Sequence, residues 1–247
     1  MFKDKIVCLG TGISSRQGQQ VTTGVNQSFL NGPVTLHAGA SEHEVKGSQK
    51  IVNPSWVLHD NIGYLFPKGG ILRVEAMEVE GSWNWVAKMY PDERIHKELF
   101  KLWFDHGVNP VAESYAYILV PQADGLTLNE MHKKQPFSMV NQSDRQEVIA
   151  VDGSIAGIVF YTHGKSTVFG GIEVDQACVL MLKKHTDGIK VAVADPTQKL
   201  DSIQLVLHGK YSGEYIEKVN DKTTMKIGLP KNGAAGNTVQ VTLVNIK

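Results

Sequence analysis

Cysteine is nearly absent: the 247-residue chain holds two, Cys8 and Cys178. Their separation matches no zinc or redox spacing. Each sits in an apolar, strand-like run, Ile6-Val7-Cys8-Leu9 and Ala177-Cys178-Val179-Leu180. Two buried thiols are the expectation, since a disulfide would have to join distant parts of the chain. Charge of one sign is absent too, because 25 Lys and Arg balance 25 Asp and Glu. Nothing therefore draws the whole chain to nucleic acid or to anionic lipid. A local basic patch facing an acidic glycan stays open, because net charge says nothing about distribution. No apolar run is long enough to span a membrane. The opening Met1-Phe2-Lys3-Asp4-Lys5 has no signal-peptide core. That leaves a cytosolic protein or a piece of a longer one, and strand-like sequence from Lys5 onward favours the piece.

Motifs for several chemistries are also lacking. Gly10, Gly12 and Gly18 do not form the dinucleotide-binding fingerprint before a helix. Ser154, Ser166 and Ser212 lie among His and Asp residues, but no Gly-x-Ser-x-Gly elbow accompanies them. His37, Glu42, His43 and Glu44 read as a polar loop whose spacing fits no zinc framework. No cofactor and no metal ligand is assigned.

What is present is β-pattern. Hydrophobic residues make up 42% of the chain, enough to bury a core. Short alternating or β-branched runs recur, among them Ile51 to Leu58, Ile71 to Val79, Trp83 to Met89, Tyr115 to Val120, Ile155 to Thr162 and Ile189 to Ala194. Gly, Pro, Asn and Asp punctuate the gaps, as in Pro67-Lys68-Gly69-Gly70 and Lys231-Asn232-Gly233. Many short strands with turn signals between them predict an all-β, antiparallel sandwich architecture. Asp92 to Phe104 reads as a short helical turn followed by a strand. Thr127-Leu128-Asn129-Glu130 fits a capping box, predicting a short helix that ends near Lys134 before Pro136. This places a first β domain over residues 1–124, a linker with a short helix over 125–135, and a smaller β-sandwich over 136–247.

The wording of certain segments carries more. Trp103-Phe104-Asp105-His106-Gly107 leads through Asn109-Pro110 into Tyr115-Ala116-Tyr117. His59-Asp60-Asn61-Ile62-Gly63-Tyr64, Gly81-Ser82-Trp83 and Val193-Ala194-Asp195-Pro196-Thr197 follow in a fitting order and spacing. With Phe2 to Ile13 and Val21-Thr22-Thr23, these resemble polysaccharide lyase family 8, the hyaluronate, chondroitin and xanthan lyases. The resemblance implies the C-terminal part of a super-sandwich domain followed by a small C-terminal β-sandwich. It further implies β-elimination of uronate-containing glycans by a parent enzyme whose catalytic residues lie in an N-terminal α/α toroid. Nothing here resembles that toroid, so this chain is expected to be a non-catalytic β half, inactive alone. An acidic polysaccharide and the toroid are the partners implied, and a secreted or periplasmic setting follows.

Asp105-His106 and His59-Asp60 are adjacent acid–base pairs, but neighbours on a strand point to opposite faces, so local structural hydrogen bonding is the stronger reading. No catalytic residue is assigned. Trp56 and Trp103 read as core. Trp83 and Trp85 share one side of a predicted strand, and with Arg73 and Arg94 they form the candidate substrate-binding set. Indole faces stack on sugars, and guanidinium groups bind carboxylates bidentately. A stand-alone carbohydrate-binding module and a structural docking domain are the alternative readings.

Overall fold

The computed structural model describes Phe2 and residues 4–246. Strands take 57% of the chain and helices 8%, so the fold is all-β. The chain divides into two compact units, Met1–Lys134 and Gln135–Lys247.

The first unit contains β1 (Ile6–Ile13), β2 (Gln20–Phe29), β3 (Val34–Ala38), β4 (Ser41–Glu44), β5 (Gly47–Val52), β6 (Trp56–His59), β7 (Ile62–Leu65) and β8 (Ile71–Gly81). A single helical turn, α1 (Trp83–Val86), precedes β9 (Ile95–Val108) and β10 (Glu113–Pro121), and α2 (Gly125–Lys134) closes the unit. Among the described residues these strands form two antiparallel sheets, ordered β1-β10-β7-β6-β3-β4 and β2-β9-β8-β5. Val34, Leu36, Val57, Tyr64 and Phe66 of the first sheet and its flank join Leu72, Val74, Phe100, Leu102 and Phe104 of the second in one buried cluster. Period-two alternation puts those side chains on the inner faces and their neighbours outside.

Local chemistry explains the connections. Asp60 and Asn61 both take positive φ, 49° and 58°, between His59 and Ile62. That is the two-residue primed turn whose twist matches the flanking strands. The helical turn expected after Asp92 does not form, because β9 is one strand from Ile95 to Val108. β9 runs on through Asp105, His106 and Gly107 to Val108, and the chain turns at Asn109–Ala112, where Asn109 and Ala112 have φ of 52° and 54°. The helix also begins earlier than its sequence signal. Asp124, not Thr127, is the cap: its carboxylate accepts from the Thr127 amide at 2.7 Å. Asp caps as well as Thr and stands immediately before the first helical residue, Gly125. Leu128 is fully buried in α2. It lies over Gly63, where a Cβ would fall 2.4 Å from the leucine side chain.

Two further expectations are corrected. Trp83 to Met89 is not a strand: Ser82 accepts from the Asn84 amide and starts a helical turn. His37, Glu42, His43 and Glu44 lie on the β3–β4 hairpin rather than in a loop.

In the second unit, a sheet running from Phe137–Asn141 through Arg145–Ala150, Ile155–Phe160, Cys178–His185 and Gly188–Ala194 to Val239–Asn245 and Tyr211–Ser212 faces a smaller one. The smaller sheet is built on Ile172–Val174, Ser202–Leu207 and Thr223–Gly228. Ile158, Leu180, Leu182, Val191 and Leu243 meet Ile172, Ile203, Leu205, Met225 and Ile227 in its core. The strands at Gly188 and Leu243 approach so closely that a Cβ on Gly188 would fall 1.9 Å from the Leu243 carbonyl oxygen. Cys178 is buried, and burial pushes its thiol up to about 12. Cys8 is half-buried rather than buried, and both cysteines are free.

The Asp195-Pro196-Thr197 turn is held by one buried carboxylate. It accepts from the Thr197 amide and hydroxyl at 2.8 and 2.7 Å, and from the Lys199 and Leu200 amides at 2.8 and 2.9 Å. Burial opposes its ionisation, but these four bonds outweigh that and bring the carboxyl down to about 2. Asp195→Asn keeps the shape and loses acceptors, so urea unfolding should show the second unit destabilised by about 1–3 kcal/mol. An unchanged midpoint would mean that the turn is held elsewhere.

Candidate functional site

The connection between β8 and β9 carries a cluster of exposed large side chains. Trp83 is 63% exposed and Trp85 53%. Val86, Met89 and Tyr90 join them at the surface. The turn is built rather than loose. Ser82 caps it, the Ala87 amide donates to the Trp83 carbonyl at 2.9 Å, and Asn84 Nδ2 donates to the Tyr90 carbonyl at 2.8 Å. Trp83 and Tyr90 lie with ring centroids 6.2 Å apart. The Arg94 guanidinium stands 4.9 Å from the Trp85 ring centroid, a cation–π distance. Arg94 is fixed from behind by Glu80 at 2.7 Å and by Asp92 at 3.6 Å. The result is a ring-bearing surface beside a held cation, able to stack a sugar and face an anionic group.

Three of the four candidate residues, Trp83, Trp85 and Arg94, are therefore together. Arg73 is not with them. It sits on the outer face of β8, and the strand rise puts it roughly 25 Å from the turn. There its Nε donates to Asp105 at 3.1 Å. The side-sharing argument for the two tryptophans does not survive, since they stand on a helical turn, although both are outside. Val86, Met89 and Tyr90 were missed in the sequence. The signal was the density of apolar residues between Ser82 and Pro91, a segment too polar at its ends for a core strand.

Trp56 is fully buried, and its indole Nε1 donates to Asn129 Oδ1 at 3.0 Å. Trp103 corrects the core reading: it is only partly buried, on the outer side of a strand whose Phe100, Leu102 and Phe104 point inward.

The acid–base pairs are committed to the fold. Asp105 accepts from Gln20 Nε2 at 2.8 Å, the Gly107 amide at 3.0 Å and Arg73 Nε, with Lys50 at 3.9 Å. Burial opposes its ionisation, but these donors and the Lys50 charge outweigh it and hold the carboxyl below its usual range. His106 points elsewhere, to the Thr23 hydroxyl at 2.8 Å. His59 is buried against Phe100, with ring centroids 4.5 Å apart. Its Nε2 accepts from the Asn31 amide at 3.1 Å, which requires that nitrogen to be unprotonated. Burial lowers the His59 pKa from the ordinary 6.5, and nearby Asp60 opposes this only in part. Among the described residues, no three His, Cys, Asp or Glu side chains converge as a metal site.

His59 gives a pH prediction with a definite sign. Its folded pKa lies below the unfolded value of about 6.5, so its contribution to stability is whole above that value. The contribution is lost as pH falls from there through the folded pKa. His59→Gln keeps an acceptor where Nε2 stands and removes the titration. Denaturant midpoints measured across this range should fall more steeply with acid in the wild type than in His59→Gln. Equal slopes would remove His59 from the account.

Comparison with known proteins agrees with the architecture. Residues 1–135 match the family model described as polysaccharide lyase family 8, super-sandwich domain, and residues 139–204 match its C-terminal beta-sandwich domain. A chondroitinase-AC of Pedobacter heparinus is 35% identical over 97% of this chain, and a xanthan lyase of a Bacillus species is 28% identical over 96%. The chain spans 34% and 28% of those two proteins, about a third of their length. Among solved structures, a chondroitinase AC lyase studied with oligosaccharides superposes with a TM-score of 0.84 at 30% identity, covering 97% of this chain and 35% of that one. A Paenibacillus xanthan lyase gives 0.83 at 24% identity, covering 100% and 26%, a likeness of fold. Two matching domain models in the order the strands demand, over more than half the residues, place this chain in polysaccharide lyase family 8.

Proposed function

We propose that this chain is the non-catalytic β portion of a secreted or periplasmic polysaccharide lyase, and that it lines the path of an acidic glycan. The observation that carries the reading is the exposed turn of Trp83, Trp85 and Tyr90 with Arg94 held against it. A domain gains no stability from rings left in water, whereas a glycan buries them on binding. The parent chemistry would be β-elimination, in which a base takes the proton α to a uronate carboxylate and the 4-linked sugar leaves. The paired acids and bases of this chain do not supply that base. His59 is spent on the Asn31 amide, and Asp105 on Gln20, Gly107 and Arg73. The base would come from an N-terminal α/α toroid, with this portion shaping the opposite wall of the cleft.

The purified chain, mixed with hyaluronan, chondroitin sulfate or xanthan, should produce no ultraviolet absorbance of an unsaturated uronate. A rise that survives controls would put a catalytic site in this chain. In affinity electrophoresis the same polysaccharides should retard it. Trp85→Ala should weaken that retardation by about three- to tenfold, the worth of one aromatic stacking contact. Retardation unchanged in Trp83→Ala and Trp85→Ala would remove the turn from the site, and none in the wild type would favour a docking domain.

A further inference from the structure

The outer face of the β2-β9-β8-β5 sheet carries an open groove of about 500 Å3, lined by Gly24, Gln27, Lys101 and Trp103 among others. Its size falls within the roughly 300–1,000 Å3 of small-ligand sites. The Trp83–Tyr90 turn does not line it.

Gly24 is the informative residue. It lies opposite Trp103 across the β2–β9 pair. A Cβ there would meet nothing within 4 Å, and its φ is not left-handed. A bulge falls between Gly24 and Asn26, yet neither that bulge nor packing requires glycine at position 24. Glycine weakens a strand interior, and one that neither conformation nor packing demands marks a close approach by something else. A Cβ at position 24 would touch no atom, Trp103 included, so the strand surface beside that residue is open.

Cations stand beyond the groove lining, on the far side of Trp103. Arg73 pairs with Trp103 across β8–β9, and Lys50 pairs with Arg73 across β5–β8. Arg73 is oriented through Nε by Asp105, and among the described residues no hydrogen bond engages its terminal nitrogens. Asp105 is only 4% exposed, so its charge is withdrawn while the guanidinium and the Lys50 ammonium remain accessible. Lys101 is two residues from Trp103 on the same face, and its ammonium is 3.6 Å from Glu75. Gln27 lies opposite Lys101 and adds an amide.

We propose that this face is a second saccharide site, in which Trp103 stacks a pyranose ring and Arg73 and Lys101 take the carboxylate of a uronate. The uronate class rests on the functional reading above, while the site itself rests on Gly24, Trp103 and the cation row. It also gives the sequence candidate Arg73 a place, apart from Trp83, Trp85 and Arg94.

The test titrates the whole chain with a hyaluronan oligosaccharide and, separately, with a neutral cello-oligosaccharide. Heat of binding and the indole N–H signals are followed, with the Trp103 signal identified as the one missing from Trp103→Phe. Gly24→Val is the decisive variant, because valine suits a strand and a Cβ at that position meets nothing within 4 Å. The expected result is a shift of the Trp103 signal with hyaluronan, a weaker response to the neutral sugar, and at least about fivefold weaker binding in Gly24→Val and Arg73→Gln. Trp85→Ala should leave the Trp103 shift in place. Hyaluronan binding that Trp85→Ala weakens but Gly24→Val does not would overturn the groove and keep the functional reading. An unmoved Trp103 signal at saturation would do the same, and no binding by the wild type would overturn both.

Discussion

Parity along β9 governs the first unit. This 14-residue strand pairs with β2 on one side and β8 on the other, so its side chains belong strictly to one face or the other. Phe100, Leu102 and Phe104 enter the buried cluster with Val74, Leu72 and Phe66. Burying three such side chains is worth about 1.5–3 kcal/mol each. A slip by one residue would exchange them for Lys101, Trp103 and Asp105. No gain from hiding one indole offsets the burial of a lysine and a carboxylate without their present partners. Trp103 is therefore held outside by its neighbours, whatever its own hydrophobicity.

The outward row brings a second constraint, the handling of Asp105. A carboxylate this buried has to be saturated with donors. Gln20 from β2, Arg73 from β8 and the Gly107 amide supply them, and Lys50 from β5 adds its charge, so one residue ties together all four strands of the sheet. The same arrangement leaves Arg73 and Lys50 standing as a cation row beside Trp103. Structural need and surface chemistry thus share residues. A change at Arg73 acts on both, while a change at Gly24 touches only the groove.

Much of this was legible from residue order, and the exceptions have physical causes. Turn chemistry at Asp60-Asn61 and at Asp195-Pro196-Thr197 is a local signal that supports the all-β reading and the family, whereas the apolar spacing from Ile95 to Trp103 read as partly helical and the segment is all strand. The Trp83 turn was not legible as helix, because four residues offer too little periodicity and the aromatics favour strand. What decided it was the Ser82 cap, a contact visible only once Gly81 ends β8. Trp103 was misplaced for a different reason: hydrophobicity was weighed above parity, although Lys101 and Asp105 on either side already marked its face. The separation of Arg73 from Arg94 depended on strand pairing, which no local pattern states. Exposure of Trp83 and Trp85 was equally out of reach, since it follows from what lies next to the turn.

The β8–β9 hairpin connects the two aromatic surfaces. Trp83 and Trp85 sit at its closed end, and Trp103 stands eight residues beyond Ile95, roughly 25 Å along the strand. Both strands are paired on their outer flanks as well, β9 by β2 and β8 by β5, so the separation is fixed rather than tethered. For a short saccharide the two proposed surfaces would be independent, each binding with the modest strength of one or two stacked rings. A polymer long enough to reach both is in a different regime. Its second contact is intramolecular, with an effective concentration set by a stiff spacer, and avidity can rise by about 10²–10⁴ without any new contact. Such a surface needs no single tight pocket to retain a long acidic glycan. It would still release short products readily, which suits the role of cleft wall proposed for this portion.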